Sequence, residues 1–178
     1  ARGLPPCREL YRERMSKSFL EPAAWFASLP VGYASASMLL TDERDRVLLV
    51  KPNYRPGWSI PGGVVEGDEY PHRGAEREIA EELGLQVRAG DLLVVHWMLP
   101  DGERPRSLVT FVFDGGTLPG GARVTLQEDE LDGYGFFPWD EAARLLSPLV
   151  SPRLTAARRA RAESRTVYLA EERHATDA

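Results

Sequence analysis

The chain of 178 residues has one cysteine, Cys7, which excludes an internal disulfide and agrees with a reducing compartment. It also lacks any apolar run that approaches the ~20 residues needed to span a bilayer. Its first residues do not contain the apolar core of a secretory signal peptide. Together these absences predict a cytoplasmic protein with no membrane partner.

Lysine is scarce, occurring only at Lys17 and Lys51, so arginine carries nearly all the positive charge. The formal net charge is −5 at pH 7, which argues against general affinity for nucleic acid backbones. An apolar fraction of 43% is that of a globular protein. The bias toward arginine, alanine, glycine and proline is typical of a GC-rich bacterial genome. We therefore expect a globular bacterial protein with no nucleic acid partner.

Apolar runs separated by turn residues predict a mixed α/β or α+β domain without regular βαβ alternation. A short polar turn joins the first two extended runs, which indicates a hairpin. Prolines at helix starts and Gly84 at a helix end mark helix bounds. Extended segments are expected over residues 32–41, 46–52, 92–99, 107–116 and 133–139, and helices over 21–29, 71–83, 140–146 and 151–164.

The same patterns predict how the chain is divided. We expect a flexible arm over residues 1–20, a domain over residues 21–150, and a C-terminal helix and tail over residues 151–178 that packs on the domain or trails it. Ser151 is the expected N-cap of that helix, and Leu154, Ala157 and Ala160 form its narrow apolar stripe. Its many arginines favour a solvated outer face over a nucleic acid contact, since the whole chain is acidic.

The stretch PGGVVEGDEYPHRGAEREIAEELGL, residues 61–85, carries an unusual density of acids. Glu78, Glu81 and Glu82 are neighbours at i, i+3 and i+4 on one face of a helix, where like charges repel each other. A hard divalent cation removes that repulsion, because carboxylate oxygens are its preferred ligands. Charge alone leaves a solvated acidic face as the alternative.

This stretch resembles the Nudix box, G-x5-E-x7-R-E-U-x-E-E-x-G-U, in which U is an aliphatic residue. Every specified position is matched, and the match is specific because so many fixed positions rarely coincide by chance. The order of the surrounding strands is also similar, so the resemblance extends from about residue 30 to about residue 150. The matching residues are Gly63, Glu69, Arg77, Glu78, Ile79, Glu81, Glu82, Gly84 and Leu85.

The resemblance implies an α/β/α sandwich with a mixed central sheet, and a hydrolase that uses Mg²⁺ or Mn²⁺. By position, Glu78, Glu81 and Glu82 are the implied metal ligands, and we expect the protein to leave them unpaired for the metal and the diphosphate, with Arg77 compensating Glu69 instead. A metal-activated water would attack phosphorus in the diphosphate linkage of the substrate. Glu69 and Arg77 are the implied pair that orients the helix and its acids. A homodimer is an expectation at the level of the family.

The substrate-contacting residues are expected just before the helix. Gly62 and Gly63 would let the backbone approach the substrate closely. Lys51 and Arg55 flank the preceding turn, from which they would reach phosphates, although a plain surface role is equally open for each.

The general base is open between Glu130 and Glu82. An acidic residue before an aliphatic one, ahead of an aromatic strand, is a common family pattern, and Glu130 followed by Leu131 fits it. A solvated acidic loop is the alternative for Glu130. Glu76 matches no specified box position, and we expect it to be solvated.

The expected substrate is a small nucleoside diphosphate linked to another group, namely ADP-ribose, a nucleotide sugar or a nucleoside triphosphate. Pro100 lies near the spacing of a marker for ADP-ribose cleavage, but a turn also explains it. A nucleotide-sensing module without turnover is a second hypothesis, which the complete set of carboxylates disfavours. An isoprenoid diphosphate isomerase would require a cysteine in the site, whereas Cys7 lies in the arm.

Overall fold

In a computed structural model of the protein, residues 21–170 are described, so the predicted arm over 1–20 and the tail beyond residue 170 lie outside the described residues. The chain divides into two compact units, residues 1–31 and 32–178. The described part of the first unit holds helix α1 (Pro22–Ala27), which begins at a proline and has no buried residue. This confirms the short helix expected after Glu21.

The second unit is built on a seven-stranded mixed sheet. The elements are β1 (Tyr33–Asp42), β2 (Val47–Pro52), β3 (Gly62–Val64), α2 (Pro71–Leu83), β4 (Leu92–Met98), β5 (Leu108–Leu118), β6 (Leu131–Phe137), α3 (Trp139–Leu145), α4 (Ser151–Glu163) and β7 (Val167–Ala170). The strand order is β6-β2-β1-β5-β4-β7, and β3 pairs with β1 beside this path. Strand β1 runs parallel to β5, and β4 runs parallel to β7, whereas the other pairs are antiparallel.

Two cores lie on opposite faces of the sheet because side chains alternate along each strand. On one face Met38 and Leu40 of β1 pack with Ile79 and Leu83 of α2. On the other face Leu39 packs in a cluster that includes residues of α3 and α4. The resulting α/β/α sandwich confirms the expected fold class. Within residues 21–170, no helix is long and apolar enough to cross a bilayer.

Helix α2 has the bounds that its sequence predicts. It begins at Pro71, where the missing N–H removes no helical hydrogen bond. It ends at Gly84, which has a left-handed φ of 65° and donates its N–H to Ala80 O. Glycine adopts this conformation at little cost, so Gly84 ends the helix sharply.

The C-terminal region differs from expectation in two details. Ser151 is the first residue of α4, whose N-cap is Val150 with no side-chain cap bond, so the expected Ser151 cap is wrong. Strand β7 was not expected; it adds an outer strand next to β4. The apolar stripe of α4 is buried at Leu154, Ala157 and Ala160. The domain boundary drawn at residue 150 stays a prediction.

Candidate active site

Two glycines of β3 bring the backbone against the acidic face of α2. Gly62 has φ 134°, and a Cβ there would lie 2.2 Å from Ala36 O. A Cβ on Gly63 would lie 2.4 Å from Glu78 Oε1. Both distances are shorter than real contacts, so a side chain at Gly62 would push β3 away from β1, and a side chain at Gly63 would displace the carboxylate of Glu78. Strand β3 itself was not expected, because glycines are poor strand formers.

Glu82 is the most enclosed acid of the site, with 7% of its surface exposed. Gly62 donates its N–H to Glu82 Oε2 over 2.9 Å. Burial, together with the negative charges of Glu78 and Glu130, raises the pKa of Glu82 to about 8, although the Gly62 bond and the charge of Arg55 oppose the shift. When a buried carboxyl group near other negative charges ionises, a positive charge beside it strongly stabilises the ionised form.

Arg77 binds more of the acids than expected. It donates from Nη2 to Glu69 Oε1 over 2.9 Å, so the ion pair suggested by the sequence is present. It also donates from Nη1 to Glu78 Oε1 over 3.0 Å and to Glu81 Oε2 over 2.8 Å. The expectation that the protein leaves Glu78 and Glu81 without a partner is therefore wrong. Both acids lie within reach of the guanidinium, because Glu81 is one helical turn beyond Arg77 and Glu78 adjoins it.

Glu78 keeps a raised pKa even beside Arg77. Burial is the largest cause, and the charges of Glu81 and Glu130 add to it, while Arg77 lowers the pKa. Glu81 is more exposed than Glu82, with 51% of its side-chain surface open to solvent. The cluster thus has a buried end at Glu82 and an open end at Glu81.

Glu76 is not solvated, so the expectation for this residue is wrong. Only 15% of its side chain is exposed. It accepts hydrogen bonds from Arg73 over 2.6 Å, from Arg88 over 3.2 Å and from the Ala89 N–H over 3.0 Å. Glu76 therefore ties α2 to the segment that follows the helix, away from the other acids.

Glu130 is brought to the cluster by a tethered loop. Asn53 donates its N–H to Glu130 O over 2.9 Å and its side-chain amide to Asp129 O over 2.8 Å. Gln127 donates its N–H to Glu82 O over 3.1 Å. The charge of Glu130 contributes to the raised pKa of both Glu78 and Glu82. Sequence analysis missed the anchoring by Asn53, because its acceptors are backbone carbonyls far along the chain.

Arg55 and Lys51, the two predicted phosphate contacts, have different surroundings. The charge of Arg55 lowers the pKa of Glu82, which puts the guanidinium within electrostatic reach of the acids. Arg55 Nη2 also donates to Ser59 Oγ over 2.9 Å, which orients it in the turn before β3. Lys51 Nζ lies 3.8 Å from Asp132 Oδ2, with both side chains about half exposed. Their contact with substrate stays a prediction.

The donor set fits Mg²⁺ or Mn²⁺ with an incomplete protein shell. Among residues 21–170, no three carboxylate, imidazole or thiol groups converge into a preformed cage. Mg²⁺ does not require one, because it retains several waters and shares its shell with substrate phosphates. The buried carboxyl of Glu82 and the exposed carboxyl of Glu81, on the same helix face, could offer hard oxygen ligands to such a metal once they are ionised.

Comparison with known proteins agrees with this geometry. The family model described as NUDIX domain matches residues 33–160. The chain is 33% identical over 130 residues to a MutT-like protein of Streptomyces ambofaciens, covering 73% of this chain and 79% of that protein. It is 33% identical over 120 residues to the CMP-5'-(N-acetyl-N-hydroxy-3-aminopropyl)phosphonate hydrolase of Streptomyces rubellomurinus, covering 63% of this chain and 54% of that protein.

Among solved structures, that of a UDP-X diphosphatase has a TM-score of 0.64 at 19% identity and covers 91% of this chain and 82% of that one, a likeness that shows the fold alone. The family match, in contrast, spans most of the chain and contains both the glycines of β3 and the acids of α2. The chain belongs to the Nudix family, whose members are hydrolases that act on diphosphate bonds.

Proposed function

We propose that this protein is a Mg²⁺-dependent hydrolase, with Mn²⁺ as an alternative metal. Its substrate is a nucleoside diphosphate linked to another group, as in ADP-ribose, a nucleotide sugar or a nucleoside triphosphate. The observation that carries the proposal is Glu82, a carboxyl with 7% exposure whose pKa is raised to about 8 beside two further acids. The name of the Streptomyces rubellomurinus relative, a hydrolase of a CMP-linked phosphonate, supports a nucleotide-linked substrate.

Glu78, Glu81 and Glu82 are the residues that would hold the metal. When bound, the metal supplies neutralisation of diphosphate charge and a bound water of lowered pKa. The Gly62 N–H holds the Glu82 carboxyl in one orientation through its 2.9 Å bond. Arg77 holds Glu78 and Glu81 from the other side and ties them to the loop acid Glu69.

In this proposal, groups near β3, on one side of the acids of α2, bind the substrate. The backbone of Gly62 and Gly63 is partly exposed in β3, which would let a substrate approach it. Arg55 lies within electrostatic reach of the acids and presents a guanidinium, which matches phosphate geometry. Lys51 provides a further exposed positive charge in β2.

Glu130 is the general base in this proposal, and Glu82 is the alternative. Glu130 is exposed on a loop whose backbone Asn53 holds in place, so its carboxylate can exchange protons with solvent. Glu82 is enclosed and already accepts the Gly62 N–H, which suits a ligand better than a base. The Glu130→Gln variant separates the two: it should lower kcat by about 10²–10⁴-fold while the affinity for Mn²⁺, measured by calorimetry, is retained.

The test of the function is turnover of a nucleotide panel with Mg²⁺, read as release of nucleoside monophosphate together with the second product, a sugar phosphate or pyrophosphate. The Glu82→Gln variant should lose several orders of magnitude in kcat. Glu76→Gln is the matched control on the same helix, because Glu76 binds Arg73 and Arg88 instead of facing the cluster. It should retain activity. Undiminished turnover in Glu82→Gln would contradict the proposal, and nucleotide binding without any turnover would identify a sensor instead.

A further inference from the structure

The turn between β2 and β3 carries a tyrosine that the core does not use. Tyr54 has 68% of its surface exposed and belongs to neither of the two buried clusters of the second unit. A single exposed aromatic side chain is ordinary on a protein surface, so exposure alone does not indicate a function. The position of Tyr54 in the chain does, because it lies between two residues that reach the acids of the site.

Both neighbours of Tyr54 lie beside the acidic cluster. Asn53 donates its backbone N–H to Glu130 O over 2.9 Å, which joins the turn to the loop that carries Glu130. On the other side of Tyr54, the charge of Arg55 acts on Glu82 and opposes the rise in its pKa. Consecutive Cα atoms are only about 3.8 Å apart, so the backbone of Tyr54 is held within one residue of both contacts.

The ring of Tyr54 is paired with the guanidinium of Arg55. The Cζ atom of Arg55 lies over the ring, 5.9 Å from its centroid, within the range of a cation–π contact. Arg55 Nη2 also donates to Ser59 Oγ over 2.9 Å, so the guanidinium is held from two sides. Because Arg55 lies over one face of this largely exposed ring, the other face is open to a second planar group.

A nucleotide offers such a planar group next to its phosphates. In the proposed function, the acids of α2, the metal and Arg55 contact the diphosphate, but the base also requires a surface to bind. An aromatic side chain provides one, since bases of every kind stack on aromatic rings. Tyr54 is suitably placed for this contact, because it directly precedes the arginine that would bind the phosphate.

Other exposed aromatic side chains are less suited to the base. Tyr70, which precedes α2, already stacks on His72, with ring centroids 5.8 Å apart and 9° between the planes. Tyr168 is nearly as exposed as Tyr54, at 64%, but lies on β7. In the sheet, β7 is four strand spacings from β2, or roughly 19 Å. These placements favour Tyr54 as the base contact and make Tyr168 a suitable control.

We propose that Tyr54 stacks on the base of the nucleotide while Arg55 binds the adjacent phosphate. This inference rests on the proposed function, because it specifies how the same site recognises its substrate class. The expected ligands are nucleotides, which should bind in preference to sugar phosphates that lack a base. Since stacking does not read the hydrogen-bonding edges of a base, the site should accept purine and pyrimidine nucleotides alike.

AMP and ribose 5-phosphate test the contact, since they differ by the adenine base and neither contains a diphosphate linkage. Calorimetry with excess Mg²⁺ measures the affinity of the protein for each. AMP should bind at least about tenfold more tightly than ribose 5-phosphate, as expected for one stacked base. Tyr54→Ala should bind AMP about tenfold more weakly than the wild type does, and ribose 5-phosphate equally well. Tyr54→Phe should retain the affinity for AMP, because the ring remains.

Tyr168→Ala is the matched control, and it should bind AMP as the wild type does. CMP in place of AMP should show the same dependence on Tyr54. The inference is overturned if AMP binds no more tightly than ribose 5-phosphate, or if its affinity is unchanged in Tyr54→Ala. An equal loss of affinity in Tyr54→Phe would also overturn it, since the hydroxyl group and not the ring would then make the contact.

Turnover separates this inference from the hydrolase proposal. On the nucleotide that the wild type cleaves best, Tyr54→Ala should raise KM about tenfold and leave kcat nearly unchanged, because substrate and transition state lose the same stacking contact. If no nucleotide is cleaved while AMP binding still depends on Tyr54, the base contact stands and the proposed function fails. If nucleotides are cleaved and neither KM nor AMP affinity responds to Tyr54→Ala, the proposed function stands and the base contact fails.

Discussion

Replacement of Glu82 by glutamine is expected to stabilise the metal-free protein. Burial and neighbouring carboxylates raise the pKa of Glu82 from 4.5 to about 8. Between these values the folded state keeps a proton that the unfolded state has released, so the free energy of unfolding falls as pH rises. Glutamine does not titrate, and its side-chain oxygen can still accept the Gly62 N–H. The variant therefore lacks this loss of stability.

The size of the effect follows from the same shift. In the unfolded chain, pH 7 is about 2.5 pH units above the pKa of Glu82. Each of these units lowers the free energy of unfolding by about 1.4 kcal/mol, which gives a total loss of about 3 kcal/mol. For a chain of this size, 1 kcal/mol changes Tm by about 2–4 °C, so Glu82→Gln should melt about 6–12 °C higher at pH 7. Below pH 4.5 the difference should vanish, because Glu82 is protonated in both states.

Urea denaturation between pH 4 and pH 8, in excess chelator, measures this difference. Glu81→Gln is the control, since 51% of the Glu81 side chain is exposed and Arg77 binds it, and it should show no gain. The reasoning is refuted if Glu82→Gln is no more stable than wild type at pH 7, or if the gap does not close toward pH 4.5. Added Mg²⁺ should raise the Tm of the wild type more than that of the variant.

The remaining predictions concern three residues, Gly63 and Arg77 beside the acids of α2 and the buried His96 of β4. Gly63→Ala should lower kcat/KM at least about tenfold with little change in far-UV circular dichroism, because the new Cβ would lie 2.4 Å from Glu78 Oε1. Arg77→Gln should lower the free energy of unfolding of the metal-free protein by about 2 kcal/mol in urea melts, because Glu69 and Glu78 lose their partner. The pKa of His96 is lowered to about 4, so stability should fall as pH drops from 6.5 toward 4, and His96→Gln should show a smaller slope over that window.

Helix α2 was predictable because its signals are local. Pro71 and Gly84 mark its ends, and Ile79 and Leu83 recur on its buried face. The crowding of acids on the other face also follows from helical spacing alone. The spacing of the residues does not determine which of the acids Arg77 binds. Arg77 binds three acids at once, and this depends on how the loop before α2 folds back over the helix.

Features that depend on distant parts of the chain were not predictable. Glu76 is enclosed because Arg88 and the Ala89 N–H reach back to it after the helix has ended. Strand β7 is only four residues long. The residue that turns the chain before it, Ser164, has a left-handed φ of 48° although it is not glycine. The sequence therefore lacks the glycine or proline that usually indicates a turn. The contact between His96 and Arg153 joins a strand to a helix through folding alone.

The apolar face of α2 stabilises the folded state, whereas Glu82 on the same helix destabilises it when no cation is bound. Ile79 and Leu83 are fully buried, and each such side chain stabilises the fold by about 1.5–3 kcal/mol. Glu82, on the same helix, costs about 3 kcal/mol at pH 7 in the absence of a cation. The apolar face thus holds the helix in place firmly enough for the acidic face to remain unfavourable. Because a cation that binds ionised Glu82 removes that cost only in the folded state, metal affinity and metal-dependent stability should change together in every variant of this residue.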